Sequence, residues 1–132
     1  MSIHKELSFV LPNKAGTLGK ITSALAAKGV SLLAIDASAG LEHNIVRLVP
    51  DNVTKALAVL NKHKLNPGAS NVLCVTLSDR KGSIAKVARA LGKAGINIEY
   101  LFATAGHGGS KAMVVLRTAD NRKAQQALKK TC

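Results

Sequence analysis

Apolar positions along this chain change their period at regular intervals, and each change marks a predicted element. Residues 3–11 are rich in Leu, Phe and Val with partial alternation and stop at Pro12, which predicts a strand. Over residues 16–28 the spacing becomes helical, with Leu18, Ile21 and Leu25 on one face and Gly29 as the stop. Residues 31–39 and 44–49 read as two strands joined at Gly40. That link is too short for a parallel crossover, so the pair is a hairpin. Asp51 stands as the N-cap of a second helix that carries Val53, Ala56, Leu57 and Leu60 on one side. The order is β-α-β-β-α.

The same order then returns. Residues 71–77 read as a strand, residues 82–94 as a helix with Ile84, Val87, Ala88 and Leu91 inward, and residues 97–103 and 111–116 as a hairpin. Asp120-Asn121 caps the last helix as Asp51-Asn52 caps its counterpart. Laid over each other, Pro12-Asn13-Lys14-Ala15-Gly16-Thr17-Leu18 meets Ser78-Asp79-Arg80-Lys81-Gly82-Ser83-Ile84, and Gly29-Val30 meets Gly95-Ile96. A period of about 66 residues is too long for a solenoid and signals a duplicated small domain. The offset later grows by three residues, placed in the glycine-rich hairpin Gly106-His107-Gly108-Gly109.

These elements predict an α+β chain of two ferredoxin-like βαββαβ modules, residues 1–67 and 68–132, with antiparallel sheets. Such a module needs one more strand after its second helix. Residues 65–70 supply it in the first half, but the second half stops where its helix ends, so its last strand is missing. Either an edge stays open there, or a strand from the other half or another chain fills it.

Length and charge narrow the picture. Each half is near the size at which a core becomes marginal, so the halves pack together or the chain forms a homodimer or higher oligomer. A 47% apolar content excludes disorder, and no apolar run is long enough for a bilayer. The start, Met1-Ser2-Ile3-His4-Lys5-Glu6, lacks the apolar stretch of a signal peptide, so a soluble, cytoplasmic protein is expected. The formal charge of +12 is shared by both halves and favours anionic partners at the encounter stage. Cys74 and Cys132 match neither a disulfide framework nor a metal spacing, and His4, His43, His63 and His107 share no spacing with Cys, Asp or Glu that suggests a metal site, so no cofactor or metal is expected.

The chemistry points to the two strand-to-helix turns. Gly16 and Gly82 allow a tight turn and keep side chains away from the first helical N–H groups. Such N–H groups favour a carboxylate, while Asn13 or Asp79 offers oxygen to an ammonium group. An amino acid carries both groups a few ångströms apart. The plainer reading is that Asn13 and Asp79 only make the turn and the glycines only permit it. Two copies in register bring the readings level.

In these residues the chain resembles a tandem pair of ACT domains, regulatory modules of amino-acid metabolism. The family's signature is a strand, a turn of the type Asp-x-Pro-Gly-x-Leu, a helix, then Gly-(Val/Ile)-Asn-Ile. Asn13, Gly16 and Leu18 with Gly29-Val30-Ser31-Leu32 match it in the first half; Asp79, Gly82 and Ile84 with Gly95-Ile96-Asn97-Ile98 match it in the second. Ala15 and Lys81 stand where the proline is usual. The resemblance implies sheets with helices on one face and a non-catalytic regulatory role. It also implies an amino acid or related small metabolite held where the turn of one module faces the second strand of its neighbour. One site would combine Asn13, Ala15, Gly16, Thr17 and Leu18 with Glu99 and Leu101; the other would combine Asp79, Lys81, Gly82, Ser83 and Ile84 with Leu33 and Ile35. A regulated enzyme or regulator would read the ligated state.

A rival reading uses Lys86, Arg89 and Lys93, which share one helix face and suit phosphate backbones of RNA or DNA. Ferredoxin-like RNA binders stack bases on sheet aromatics, however, and Phe9, Tyr100 and Phe102 form no such pattern. A solvated helix face is preferred, and nucleic acid is kept as the alternative partner.

Overall fold

The structure is a computed structural model that describes residues 1–105 and 111–131. The glycine-rich hairpin at 106–110 and Cys132 lie outside the described residues. Among the described residues ten elements follow in order: β1 (Ser2–Pro12), α1 (Thr17–Ala27), β2 (Leu32–Ser38), β3 (His43–Pro50), α2 (Val53–Lys62), β4 (Gly68–Ser78), α3 (Ser83–Lys93), β5 (Ile98–Ala105), β6 (Lys111–Thr118) and α4 (Asn121–Lys129). The architecture is α+β, with the two hairpins antiparallel as expected. The predicted strands at 65–70 and 71–77 are one strand, β4, which begins at Gly68.

The chain divides into two compact units: Lys5–Ser70 is one, and Met1–His4 together with Asn71–Cys132 is the other. In the unit Lys5–Ser70 the strand order is β2-β3-β1, and the start of β4 lies beside β1, so close that a Cβ on Gly68 would sit 3.2 Å from the Ser8 Oγ. Both helices cover one face of this sheet. Leu7, Phe9 and Leu11 of β1 and Val46 and Leu48 of β3 form one core with Ile21 and Leu25 of α1 and Ala56, Val59 and Leu60 of α2. The opposite face carries a polar row: Arg47 is the cross-strand partner of both Ser8 and Asp36. Arg47 reaches both Asp36 at 3.7 Å and the buried Glu6 at 3.9 Å, which keeps a carboxylate inside the fold tolerable.

The other unit repeats this plan with order β4-β6-β5. Leu73, Val75 and Leu77, Val114 and Leu116, Val87 and Leu91, and Ala124 and Leu128 form its core. No strand follows α4 among the described residues. Its place beside β4 is taken by Met1–His4, the first residues of β1, which belong to this unit. The Gln125 side chain of α4 donates to the Met1 carbonyl at 3.4 Å. The missing strand is thus supplied from the opposite end of the chain.

Four local expectations change. Asp51 does not cap α2: Asn52 does, accepting from the Lys55 N–H at 3.0 Å, while Asp51 accepts from the Ser31 N–H and anchors the entry to β2. Asn52 and Asp120, the true counterparts, stand 68 residues apart, so the repeat lengthens by two residues and not three. Ile84 and Ala88 of α3 are exposed, and Ala90 packs inward in their place. On α1 only Ile21 and Leu25 of the expected stripe are buried, and Leu18 stays 38% exposed.

Deleting residues 1–4 removes the outer neighbour of β4 from one unit only. Hydrogen exchange of β4 and α4 amides is expected to quicken by about tenfold or more, while β2 and β3 amides keep their rates. Equal loss of protection in both units would contradict this assignment.

Candidate functional site

The four helices begin in two different ways, and the difference repeats. The second helix of each unit starts from a side-chain cap, Asn52 for α2 and Asp120 for α4. The first helix of each unit starts from glycine: Gly16 at φ 89°, ψ −14° and Gly82 at φ 88°, ψ −3°, with no side-chain cap in either case. These left-handed angles turn the strand into the helix within a few residues, and a side chain would strain them. At α1 the Thr17 N–H is spent on the Lys14 carbonyl and the first intrahelical bond runs from the Lys20 N–H to Gly16. At α3 Ser83 bonds Arg80 and Lys86 bonds Gly82 in the same way. The N–H groups between them, of Leu18 and Gly19 and of Ile84 and Ala85, have no hydrogen-bond partner among the described residues. Each elbow is therefore a pair of donors at the positive end of a helix.

Around the first elbow the predicted residues do distinct things. Asn13 ties the end of β1 to the β2–β3 connection: its N–H donates to Glu42, its amide nitrogen to the Gly40 carbonyl, and its amide oxygen accepts from Asn44 at 3.3 Å. Thr17 folds its hydroxyl back onto the Pro12 and Lys14 carbonyls, both at 3.0 Å, and braces the turn. Ala15 and Leu18 are exposed. Around the second elbow Asp79, Lys81 and Ile84 are exposed, and Ser83 lines a cavity of about 270 Å³ with Thr76, Leu77, Ser78, Lys86 and Thr131. Sequence reasoning missed this lining. Lys86 sits one turn beyond Ser83, a spacing that places both on one side of the helix start, while Thr131 follows the end of α4 and no pattern links it to the turn.

The second-strand candidates share a structural feature. The register of β2 against β3 shifts between Leu32 and Ala34, and that of β5 against β6 shifts between Ile98 and Tyr100. Leu33 and Glu99 are the extra residues of these irregularities, which re-aim side chains. Leu33 and Ile35 are exposed, whereas Leu101 packs on its own unit's core and Glu99 pairs with Arg117 at 3.3 Å. Within one unit the elbow and the bulge do not meet: Pro12 pairs with His43 at one end of β3, and Leu32 pairs with Pro50 at the other. Among the described residues no group of three or more His, Cys, Asp or Glu is placed to hold a metal, and no helix is long and apolar enough to cross a membrane.

With this geometry in place, comparison settles the family. The family model described as an ACT domain pair matches residues 1–131. The chain belongs to the ACT domain pair family. A protein of Bacteroides thetaiotaomicron has a similar structure, with a TM-score of 0.87 and 28% identity over 97% of this chain and 88% of that one. The regulatory subunit of aspartate kinase from Thermus thermophilus matches with a TM-score of 0.73 and 18% identity, covering 98% of this chain and 95% of that one. A structure of aspartokinase alpha and beta subunits matches at 0.68 and 19%, covering 99% and 97%. No curated protein matches the sequence. In this ACT domain pair both signature turns are the glycine elbows, although Ala15 and Lys81 replace the family's proline.

The elbow glycines are separable from ordinary helical ones. A Cβ on Gly16, Gly82 or Gly19 meets nothing within 4 Å, but only the first two have positive φ. Gly16→Ala or Gly82→Ala is therefore expected to lower the unfolding free energy by about 1–2 kcal/mol. Gly19→Ala, inside α1, is expected to raise it by about 0.5–1 kcal/mol. Urea titration of the three variants checks the opposite signs.

Proposed function

We propose that this ACT domain pair is a non-catalytic regulatory protein that binds an amino acid or related small metabolite at its glycine elbows. One observation carries the reading: the same uncapped helix start occurs twice, with two N–H donors free at each copy, while both sister helices are capped. A carboxylate held by two such donors gains charge-assisted hydrogen bonds, worth about 1.5–3 kcal/mol each where water is excluded. At the second elbow the Asp79 carboxylate is the counter-group for the ammonium. At the first, the Asn13 oxygen, which accepts one bond from Asn44, has its second lone pair to offer.

The other wall of each pocket is proposed to come from the second strand of a neighbouring module: Leu33 and Ile35 for one, Glu99 and Leu101 for the other. Leu18 and Ile84 are large apolar side chains left in solvent at the elbows. A ligand with a small or aliphatic side chain would cover them. The output is a population shift, in which ligand stabilises the paired or oligomeric arrangement and a partner enzyme or regulator reads it. The similarity to a structure named as a regulatory subunit agrees with such a division of labour.

Thermal shift against the common amino acids, at low and high salt, tests this. One amino acid, or a small set, is expected to raise the melting temperature by an amount that salt does not change. Gly82→Asp, which places a carboxylate at the elbow, is expected to abolish the effect at that site. No stabilisation by any amino acid would remove the elbows from the function, and full stabilisation of Gly82→Asp would remove the second elbow from it.

A further inference from the structure

The helices of this chain contain no acidic residue. All seven Asp and Glu lie on strands, turns or caps: Glu6, Asp36, Glu42, Asp51, Asp79, Glu99 and Asp120. The ion pairs of Arg47 and Arg117 likewise lie on strands. The helices instead carry Lys20, Lys55, Lys62, Lys86, Arg89, Lys93, Arg122, Lys123 and Lys129. The outer layer of each unit is thus of one sign, and it is not smooth. In the unit Lys5–Ser70 a groove of about 320 Å³ lies between the end of α1 and the side of α2, lined by Lys28, Lys55, Ala58, Val59 and Lys62. In the other unit a groove of about 470 Å³ occupies the matching place, lined by Ala94, Lys123, Gln126, Ala127, Lys129 and Lys130. Lys55 and Lys123, Val59 and Ala127, and Lys62 and Lys130 are counterparts at the 68-residue offset.

We infer that these grooves dock an acidic amphipathic helix of a partner protein. The lining has two chemistries in a fixed arrangement: an apolar floor, Val59 with Ala58 or Ala127 with Ala94, and ammonium groups at both ends, Lys55 and Lys62 or Lys123 and Lys130. The paired lysines are seven residues apart, two helical turns, so the rim spans about 10 Å of helix axis. A helix laid along such a groove presents apolar side chains at every third or fourth position to the floor and carboxylates to the rim. Nucleic acid fits less well, because it offers phosphates but nothing for the floor, and the lining has neither an aromatic platform nor an arginine fork. Lysine stems lying along apolar surface with their heads in water suit a helical protein partner. The inference rests on the proposed function only in that a non-catalytic regulator needs a partner to act on.

The test is fluorescence anisotropy with three labelled probes of equal charge: an amphipathic helical peptide of Glu, Ala and Leu, an all-Glu peptide, and a short DNA duplex. At about 0.15 M salt, where exposed charges are screened beyond roughly 8 Å, the amphipathic peptide is expected to bind about tenfold or more tighter than either other probe. Lys55→Glu with Lys123→Glu should weaken it by about tenfold or more, whereas Lys5→Glu with Lys111→Glu, the same change of net charge on exposed strand positions, should cost under about threefold. Folding survives the first pair, because both lysines are the third residue of a capped helix, where Glu completes a capping box. DNA or all-Glu peptide binding as tightly as the amphipathic probe, or equal losses in the two double variants, would overturn the proposal. Amino-acid stabilisation is read without any peptide, so failure here leaves the elbow reading standing, and failure there leaves this one.

Discussion

The structure turns on one backbone constraint: in each unit the strand must become a helix without a side-chain cap. A residue such as Asn52 or Asp120 satisfies a helix start from within, by lending its oxygen to an N–H of the first turn. Glycine in a left-handed conformation makes the turn but lends nothing. The donors of Leu18, Gly19, Ile84 and Ala85 are then left for something outside the helix. Because both kinds of start occur in each unit, the bare ones are not a general habit of this chain. They belong to the first helix alone, and the rest of each unit is arranged to hold that helix still. Ile21 and Leu25, or Val87 and Leu91, lock one face into the core, and Thr17 braces the turn of the first copy from inside.

The completion of the second unit extends the same economy. A sheet of three or more strands is needed to bury the face of two short helices, and among the described residues no strand follows α4. The first residues of β1 take that place, and β1 and β4, at 11 residues each, are the longest strands among the described residues. Each is shared: Met1–His4 serves one unit while the rest of β1 serves the other, and β4 is divided at Ser70. The sharing covers an edge of β4 that, left open, would invite pairing with foreign chains.

Much of this was legible in the residues. Element order followed from the change of apolar period, and the module type followed from the order. The repeat was visible because Gly16 and Gly82, or Gly29 and Gly95, hold conformations that few other residues adopt, so they stay fixed while their neighbours vary. What escaped was decided by tertiary contact. Asp51 and Asn52 are adjacent and both are good caps; only the approach of Ser31 assigns Asp51 elsewhere. Leu18 and Ile84 have the right spacing for a core stripe but fall in the first turn of the helix and stay exposed. Glu6 reads as the polar side of an alternating strand yet is buried, because Arg47 reaches toward it. The bulges at Leu33 and Glu99 leave no mark in composition, so nothing in the residues announced the register shifts there.

The one-signed helix layer raises the question of why folding tolerates it. Exposed ammonium groups several ångströms apart in water repel by a few tenths of a kcal/mol, and salt removes most of that. Lys62, Lys93 and Lys129 stand in last turns, where the negative end of the helix offsets part of the remainder. Placing acids among these lysines would gain little, because surface ion pairs contribute about 0–1 kcal/mol. Folding is therefore nearly indifferent to whether the layer is basic or mixed, and the fold does not set its sign. The carboxylates are kept to the strands and turns, where Glu6, Asp36 and Glu99 face arginines and Asp51 and Asp120 hold backbone N–H groups.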